Sequence, residues 1–348
     1  MYGTVRGNVA RVTLGDVAKD ARVSRTTASM VLNDSPLIAQ ATKERVRESF
    51  ARLGYVYDRA AASLRKSQSL AVGLVITQLS NPYFAEFAEG IQSELDDQGM
   101  DLLLGISAED RTRQRRLLVN MSERRVDGVV VIPAHQSEPA DFAGLHLPIV
   151  MMARRVKGFD TDYVGGDNFA GAVAATNHML ITHGAQRPAF IGGHVYSSAR
   201  EERLGGFLSA AEALGVKVPV RNMPACVPDR VIARTAAAEL LARDTKIDAI
   251  VCLNDAVAFG VMDAVADAGL VVGRDVRVIG FDDVKDAGRV RPALASMSVP
   301  ADSAGRRAAH LLLERINGSD TGPETLILPA ELMPRESCGC GRRVRAVS

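Results

Sequence analysis

Arg25, Thr26, Ser29 and Met30 fall on one side of a short stretch whose other side is Ala28, Val31 and Leu32. At helical spacing this sets a cation, hydroxyls and a thioether on an outer face and apolar groups on an inner one. A second set lies far downstream. Arg203, Asn254 and Asp282 are polar residues on the cleft side of the chain's second half, and Asp282 ends an apolar strand. An arginine and an aspartate converging there hold ligand hydroxyls or a carboxylate through charge-assisted hydrogen bonds; the alternative is a structural ion pair between two lobes. Asn81-Pro82-Tyr83-Phe84 follows an apolar run, where aromatics stack on a sugar or planar ligand unless Phe84 packs inward at a helix entry. Ser197 sits after another such run. Asp282-Asp283 has no partner base, and no G-x-S-x-G elbow, P-loop or G-x-G-x-x-G is present, so neither an enzyme nor a bound cofactor is expected. His135, His178, His183, His194 and His310 show no metal spacing and read as surface or capping residues, so no metal is expected. Cys338-Gly339-Cys340, with no second ligand pair nearby, reads as part of an exposed tail.

The first set needs elements to position it. Thr13 is an N-cap with Asp16 completing a capping box, and Leu14, Val17, Ala18 and Ala21 repeat at helical spacing. A turn at Arg22-Val23 leads to Ser24, the N-cap of the Arg25–Leu32 helix. Thr42 to Leu53, stopped by Gly54, supplies a third helix against which two short ones lean. Three small helices with a polar, arginine-led second one form a helix-turn-helix DNA reader. Residues 1–12 read as a flexible basic extension, 13–57 as the head and 58–69 as a linker. Within that linker Leu64 is a lone large apolar residue, either buried against a lobe or a wedge for the minor groove of DNA.

From Leu70 apolar strands alternate with helices: strands at 70–76, 101–107, 126–133, 149–153, 188–193, 249–254 and 276–283, with helices between. Such alternation means an α/β protein with doubly wound parallel sheets covered on both faces. Two sets of about 100 residues give a two-lobed body over 70–338, with a cleft at the strand C-termini where ligands sit. The first lobe is assigned about 70–166 plus 297–325, the second about 167–296 plus 326–338, and 339–348 is a tail.

The net charge of +1 argues against a nucleic-acid binder until the chain is divided. Residues 1–69 hold 12 Lys and Arg against 6 Asp and Glu, a balance of +6; the remainder holds 30 against 35, a balance of −5. A basic head on a mildly acidic body is the asymmetry expected if the head alone meets phosphate. No apolar run is long enough to cross a bilayer, and the N-terminus lacks a signal-peptide core, which predicts no membrane association and a cytoplasmic location.

VTLGDVAKDARVSRTTASMVLN followed by ATKERVRESFARLGYVYDRAAASL resembles the head and hinge of lactose-repressor-type (LacI/GalR) transcription regulators. The body is similar too, through AVGLVITQLSNPYFAEFAEGIQ, VDGVVVIP, YVGGDN, REERLGGF, CLND, VIGFDD and PRESC. The resemblance spans Val12 to Cys338. It implies a homodimer on double-stranded, pseudo-palindromic operator DNA, with a periplasmic-binding-protein-like body that takes a small effector such as a sugar or sugar acid. It places Arg25, Thr26 and Met30 in the groove, where arginine makes a bidentate contact to guanine. Thr13, Ser24, Thr27, Ser29 and Asn33 would hold phosphates, Leu64 the minor groove, and Tyr83, Phe84, Arg154, Ser197, Arg203, Asn254 and Asp282 the effector. Three departures stand out. Met30 replaces a frequent arginine. Arg22 replaces a turn glycine, which costs about 1 kcal/mol if φ is positive. Ala153 replaces the aspartate common before Arg154 in sugar binders, leaving acids or phosphorylated ligands open. A solute-binding protein with an incidental N-terminal domain is the other reading.

Overall fold

The computed structural model describes residues 12–55 and 69–341. The basic extension up to Arg11 and the linker that carries Leu64 lie outside them. The chain divides into two compact units, with the break between Ser67 and Gln68.

In the first unit, helix α1 (Leu14–Asp20) starts on Thr13, whose hydroxyl accepts from the Asp16 amide while the Asp16 carboxylate accepts from the Thr13 amide at 2.8 Å. Arg22 then takes φ 53°, the left-handed turn for which glycine would be the relaxed choice. Helix α2 (Arg25–Leu32) is capped by Ser24, and α3 (Gln40–Leu53) ends on Gly54 at φ 63°. Their core is small: Val17, Ala18, Ala21, Ala28, Val31 and Val46 are buried, with Phe50, Leu53 and Tyr55 packed at its edge. Polar ties add to it. Ser49 donates to Asp20, which also pairs with Arg52, and Asp34 holds both Lys43 and Arg47.

The second unit contains two sheets. The first has the order β10-β5-β4-β3-β1-β2, all parallel, from β1 (Ala71–Ile76), β2 (Asp101–Ile106), β3 (Gly128–Val131), β4 (Ile149–Met152), β5 (Asp162–Gly166) and β10 (Thr325–Leu328). Helices α4 (Pro82–Asp96), α5 (Arg111–Glu123) and α10 (Ala301–Ile316) cover it. The second sheet, β11-β9-β8-β7-β6, joins parallel strands β6 (Pro188–Ile191), β7 (Ala249–Cys252), β8 (Arg277–Phe281) and β9 (Ala295–Ser298) to an antiparallel edge, β11 (Glu331–Met333). Its helices are α6 (Asn168–Asn177), α7 (Ser198–Ala213), α8 (Arg230–Arg243) and α9 (Asp255–Asp267). Strands β3, β4, β6 and β7 are buried along their whole length, as parallel strands between helical layers must be.

The division between lobes needs correction. The strand near 326–328 was assigned to the second lobe, but it pairs with β5 and becomes the edge strand of the first sheet. Met297 and Ser298, assigned to the first lobe, belong to the second lobe's sheet through β9, a strand too short and polar to stand out. The chain therefore passes between lobes after β5, after β9 and after β10.

Candidate functional site

In the head, Arg25 and Thr26 are exposed and Ser29 and Met30 half-buried on the outer side of α2. Arg25 makes no hydrogen bond or ion pair to another described residue, so its guanidinium is free for a base edge. The expected phosphate ligands are differently employed. Thr13 donates to Asp16, Ser24 and Thr27 share a hydrogen bond at 2.8 Å, and the Asn33 amide donates to the Ser29 carbonyl. Their side chains fix the helix ends: Thr13 and Ser24 accept from the Asp16 and Thr27 amides, and Asn33 closes the C-terminal end of α2.

In the body, Arg203, Asn254 and Asp282 do meet. Arg203 on α7 donates to Asn168 Oδ1 at 2.7 Å and to the Leu253 carbonyl, and lies 3.7 Å from Asp282 Oδ1. Its guanidinium also stacks 3.6 Å from the centre of the Phe281 ring. Asn254 caps α9 by accepting from the Val257 amide, and it also hydrogen-bonds Asp282. All three are nearly inaccessible. Arg203 and Asp282 belong to the same lobe, so they are not the inter-lobe ion pair. Asn81 links the lobes at this point: it caps α4 and donates through Nδ2 to Asp282 Oδ2 at 3.2 Å, while the ion pair between lobes is Lys285 with Glu86 at 3.6 Å. Burial pushes the Asp282 carboxyl up to about 6, against the pull of Arg203, Asn81 and Asn254.

Asp255, unremarked in the sequence, braces this turn. It is fully buried, accepts from Ser296 Oγ at 2.6 Å and from the Val284 amide at 2.8 Å, and burial drives its carboxyl far above the usual range. A Cβ at Gly280 would come 2.1 Å from Asp255 Oδ1, so glycine is required for the carboxyl to reach the strand.

Tyr83 and Phe84 are not exposed aromatics. Both rings are buried in the first lobe, Tyr83 at 4.5 Å from Phe87, so the helix-entry packing holds. The Tyr83 hydroxyl is nonetheless in the electrostatic reach of Asp282 and Arg203. Arg154 and Ser197 are elsewhere, in the wall of a cavity of about 680 Å³ that both lobes line. His135, Arg155 and Lys157 come from the first lobe, and Tyr196, Arg200 and Glu201 from the second. Arg154 is already paired: it donates to Glu109 Oε2 at 2.9 Å and to the Pro133 carbonyl. Burial alone would raise the Glu109 carboxyl, but Arg154, the His135 amide and His194 together hold it low. The His135 and His194 rings stack across the lobes, 4.3 Å apart and 3° from parallel, with His135 Nδ1 3.5 Å from Glu109. Burial lowers the His194 pKa. Single histidines far apart in sequence gave no sign of this stack.

Cys338-Gly339-Cys340 is not an exposed tail. Cys338 is fully buried, Cys340 half-buried, and both lie against His178 and His183. Reading the histidines as surface residues missed this because the partners are about 160 residues away.

A three-helix DNA-reading head on a two-lobed body, with a polar cleft between parallel sheets, defines a ligand-responsive transcription regulator. Family comparison agrees: residues 13–58 match "Bacterial regulatory proteins, lacI family", and residues 69–336 match "Periplasmic binding proteins and sugar binding domain of LacI family". The chain belongs to the LacI family. It is 32% identical over 334 residues to the HTH-type transcriptional repressor PurR of Escherichia coli O1:K1, covering 94% of this chain and 97% of that one. A solved transcriptional regulator CelR–cellobiose complex is 30% identical, with TM-score 0.72 and coverage of 94% and 100%. The lac repressor dimer bound to operator and the anti-inducer ONPF shares the fold at TM-score 0.84 and 22% identity, over 94% and 99% of the two chains. No helix among the described residues is long and apolar enough to cross a membrane.

Proposed function

We propose that the chain is a cytoplasmic, homodimeric repressor, not an enzyme, whose heads read the two halves of an operator and whose body takes a small polar effector between its lobes. The observation that carries this reading is the inter-lobe cleft: Asn81 reaches from one lobe to a buried Asp282–Arg203 pair on the other, so occupancy of the cleft and lobe spacing are linked. In the head, Arg25 and Thr26 would contact bases, with Met30 making an apolar contact; Thr13, Ser24, Thr27, Ser29 and Asn33 would hold register on the backbone. Leu64 of the linker would wedge into the minor groove. Edge strand β2 leaves Leu103 and Leu104 exposed, an apolar edge suited to a second copy.

Effector chemistry follows from the cleft walls. Arg203, Asn254 and Asp282 suit hydroxyls, and Arg155, Lys157 and Arg200 give the adjoining cavity a surplus of cations over Glu201. A sugar acid or phosphorylated sugar satisfies both. The solved CelR complex holds cellobiose, so cellobiose belongs in the comparison set. A thermal-shift screen of sugars, sugar acids and purines on the full chain, followed by fluorescence anisotropy on upstream duplex DNA, tests the reading. A hit that also changes DNA affinity supports it. Sequence-independent binding under every condition sinks it.

A further inference from the structure

His178, His183, Cys338 and Cys340 point four soft donor atoms at one another, all within 4.8 Å. His178 Nε2 is 3.2 Å from His183 Nε2, 3.3 Å from Cys338 Sγ and 3.5 Å from Cys340 Sγ; His183 Nε2 is 3.4 Å from Cys340 Sγ. A ring nitrogen has one in-plane lone pair or one N–H, so His178 Nε2 satisfies at most one of its three neighbours by hydrogen bonding. Convergence of three groups on one nitrogen is the arrangement a shared central cation produces.

The distances agree with a particular cation class. With Zn–N about 2.0–2.1 Å and Zn–S about 2.3 Å, a tetrahedron spaces two nitrogens about 3.3 Å apart and nitrogen from sulfur about 3.6 Å. The observed separations of 3.2 Å and 3.3–3.5 Å lie within a few tenths of those values. The backbone is shaped to make this possible. Helix α6 widens into a π-helical turn over His178–Thr182, bringing residues five apart onto one side. Gly184 at φ 66° then ends the turn. On the other segment, a single 3-10 turn over Glu336–Cys338 and Gly339 at φ 93° bring both sulfurs to the same point. A Cβ at Gly339 would sit 3.0 Å from the Gly273 carbonyl and 3.3 Å from His183 Nδ1, so the glycine also permits the close approach.

We propose that these four residues form a closed, four-ligand structural site for a zinc-class divalent cation, which fastens the C-terminal segment to the end of α6. All four positions come from this chain, which leaves no open one for chemistry. Tetrahedral S2N2 donors select zinc over calcium or magnesium. The site is separate from the cleft and from the head, so it does not depend on the effector assignment.

The test uses the full chain, purified under reducing conditions from zinc-supplemented cells. Elemental analysis is expected to give one zinc per chain, and chelation is expected to lower the body's melting temperature. Cobalt(II) added to the stripped chain is expected to give the intense visible bands of tetrahedral coordination with a thiolate charge-transfer band. Cys340→Ser, at a half-buried position, should fold and weaken cobalt binding at least tenfold; His183→Gln provides the same reading should the first variant fold poorly. Folded, fully reduced chain without stoichiometric metal, or a weak octahedral cobalt spectrum, overturns the proposal. So does cobalt affinity unchanged in both variants.

Discussion

Two of the inter-lobe contacts of the body are built differently. Asn81 meets Asp282 in a buried network in which Arg203, Asn168 and Asn254 all find partners. His135 meets His194 as two stacked rings beside the cavity, with His135 Nδ1 and His194 Nε2 buried but lacking hydrogen bonds. A satisfied network resists change, because removing one member strands the others. An unsatisfied one can accept a new partner at little cost. On the proposed function the first contact is a clamp that sets lobe spacing, and the second offers an arriving polar ligand two unpaired ring nitrogens.

Breaking the clamp has the largest expected effect. Arg203→Ala leaves Asp282 buried without its cation and the Leu253 carbonyl without its donor, so unfolding experiments should show a loss of about 3–5 kcal/mol. Asp282 also gives a pH signature. Its folded pKa, about 6, lies above the ordinary aspartate value of 3.8, so the folded state binds the proton more tightly. The stability this contributes is present below about pH 4 and lost as pH rises through 6. Asp282→Asn cannot titrate, so its stability relative to the natural chain should rise between pH 4 and 7, by on the order of 2–3 kcal/mol. A flat difference would show that the carboxyl is not desolvated.

The stack should respond in the opposite sense and more weakly. Burial lowers the His194 pKa, so the unfolded chain binds the proton better, and stability falls as pH drops below about 6.5. His194→Ala should cost about 0.5–1.5 kcal/mol at neutral pH and remove that acid sensitivity, read by thermal unfolding. Its effect on effector affinity should exceed its effect on stability; the reverse would make the stack merely structural. In the head, Arg25→Ala should relax preference at one base pair by about 1–3 kcal/mol, whereas Thr27→Ala should weaken all duplexes alike. Equal effects of both would mean that α2 is oriented differently on DNA.

The head was legible because its signals are local. Thr13 with Asp16, Ser24, Gly54 and the spacing of Val17, Ala28 and Val31 all act within a few residues, and each forms as expected. The apolar strands of the body were legible for the same reason. Pairing was not. That Thr325–Leu328 crosses back to β5 depends on which sheet has an open edge, which no local pattern carries. Arg203, Asn254 and Asp282 stood out as polar residues on the cleft side of the second lobe, and they do converge. Asp255, Glu109 and the histidine stack were invisible because their partners are 20 to 60 residues away. Cys338 and Cys340 were misjudged for the same reason, the segment that carries them lying against the end of α6.

The central claim is that the cleft and the head are coupled. Fluorescence anisotropy of the full chain on its operator, with and without the compound selected by thermal shift, measures that coupling directly. The account predicts a change in operator affinity of roughly 5–150-fold, of either sign, that disappears in Asn81→Ala while affinity without the compound persists. An unchanged operator affinity at saturating compound, or the same shift in Asn81→Ala, would contradict it.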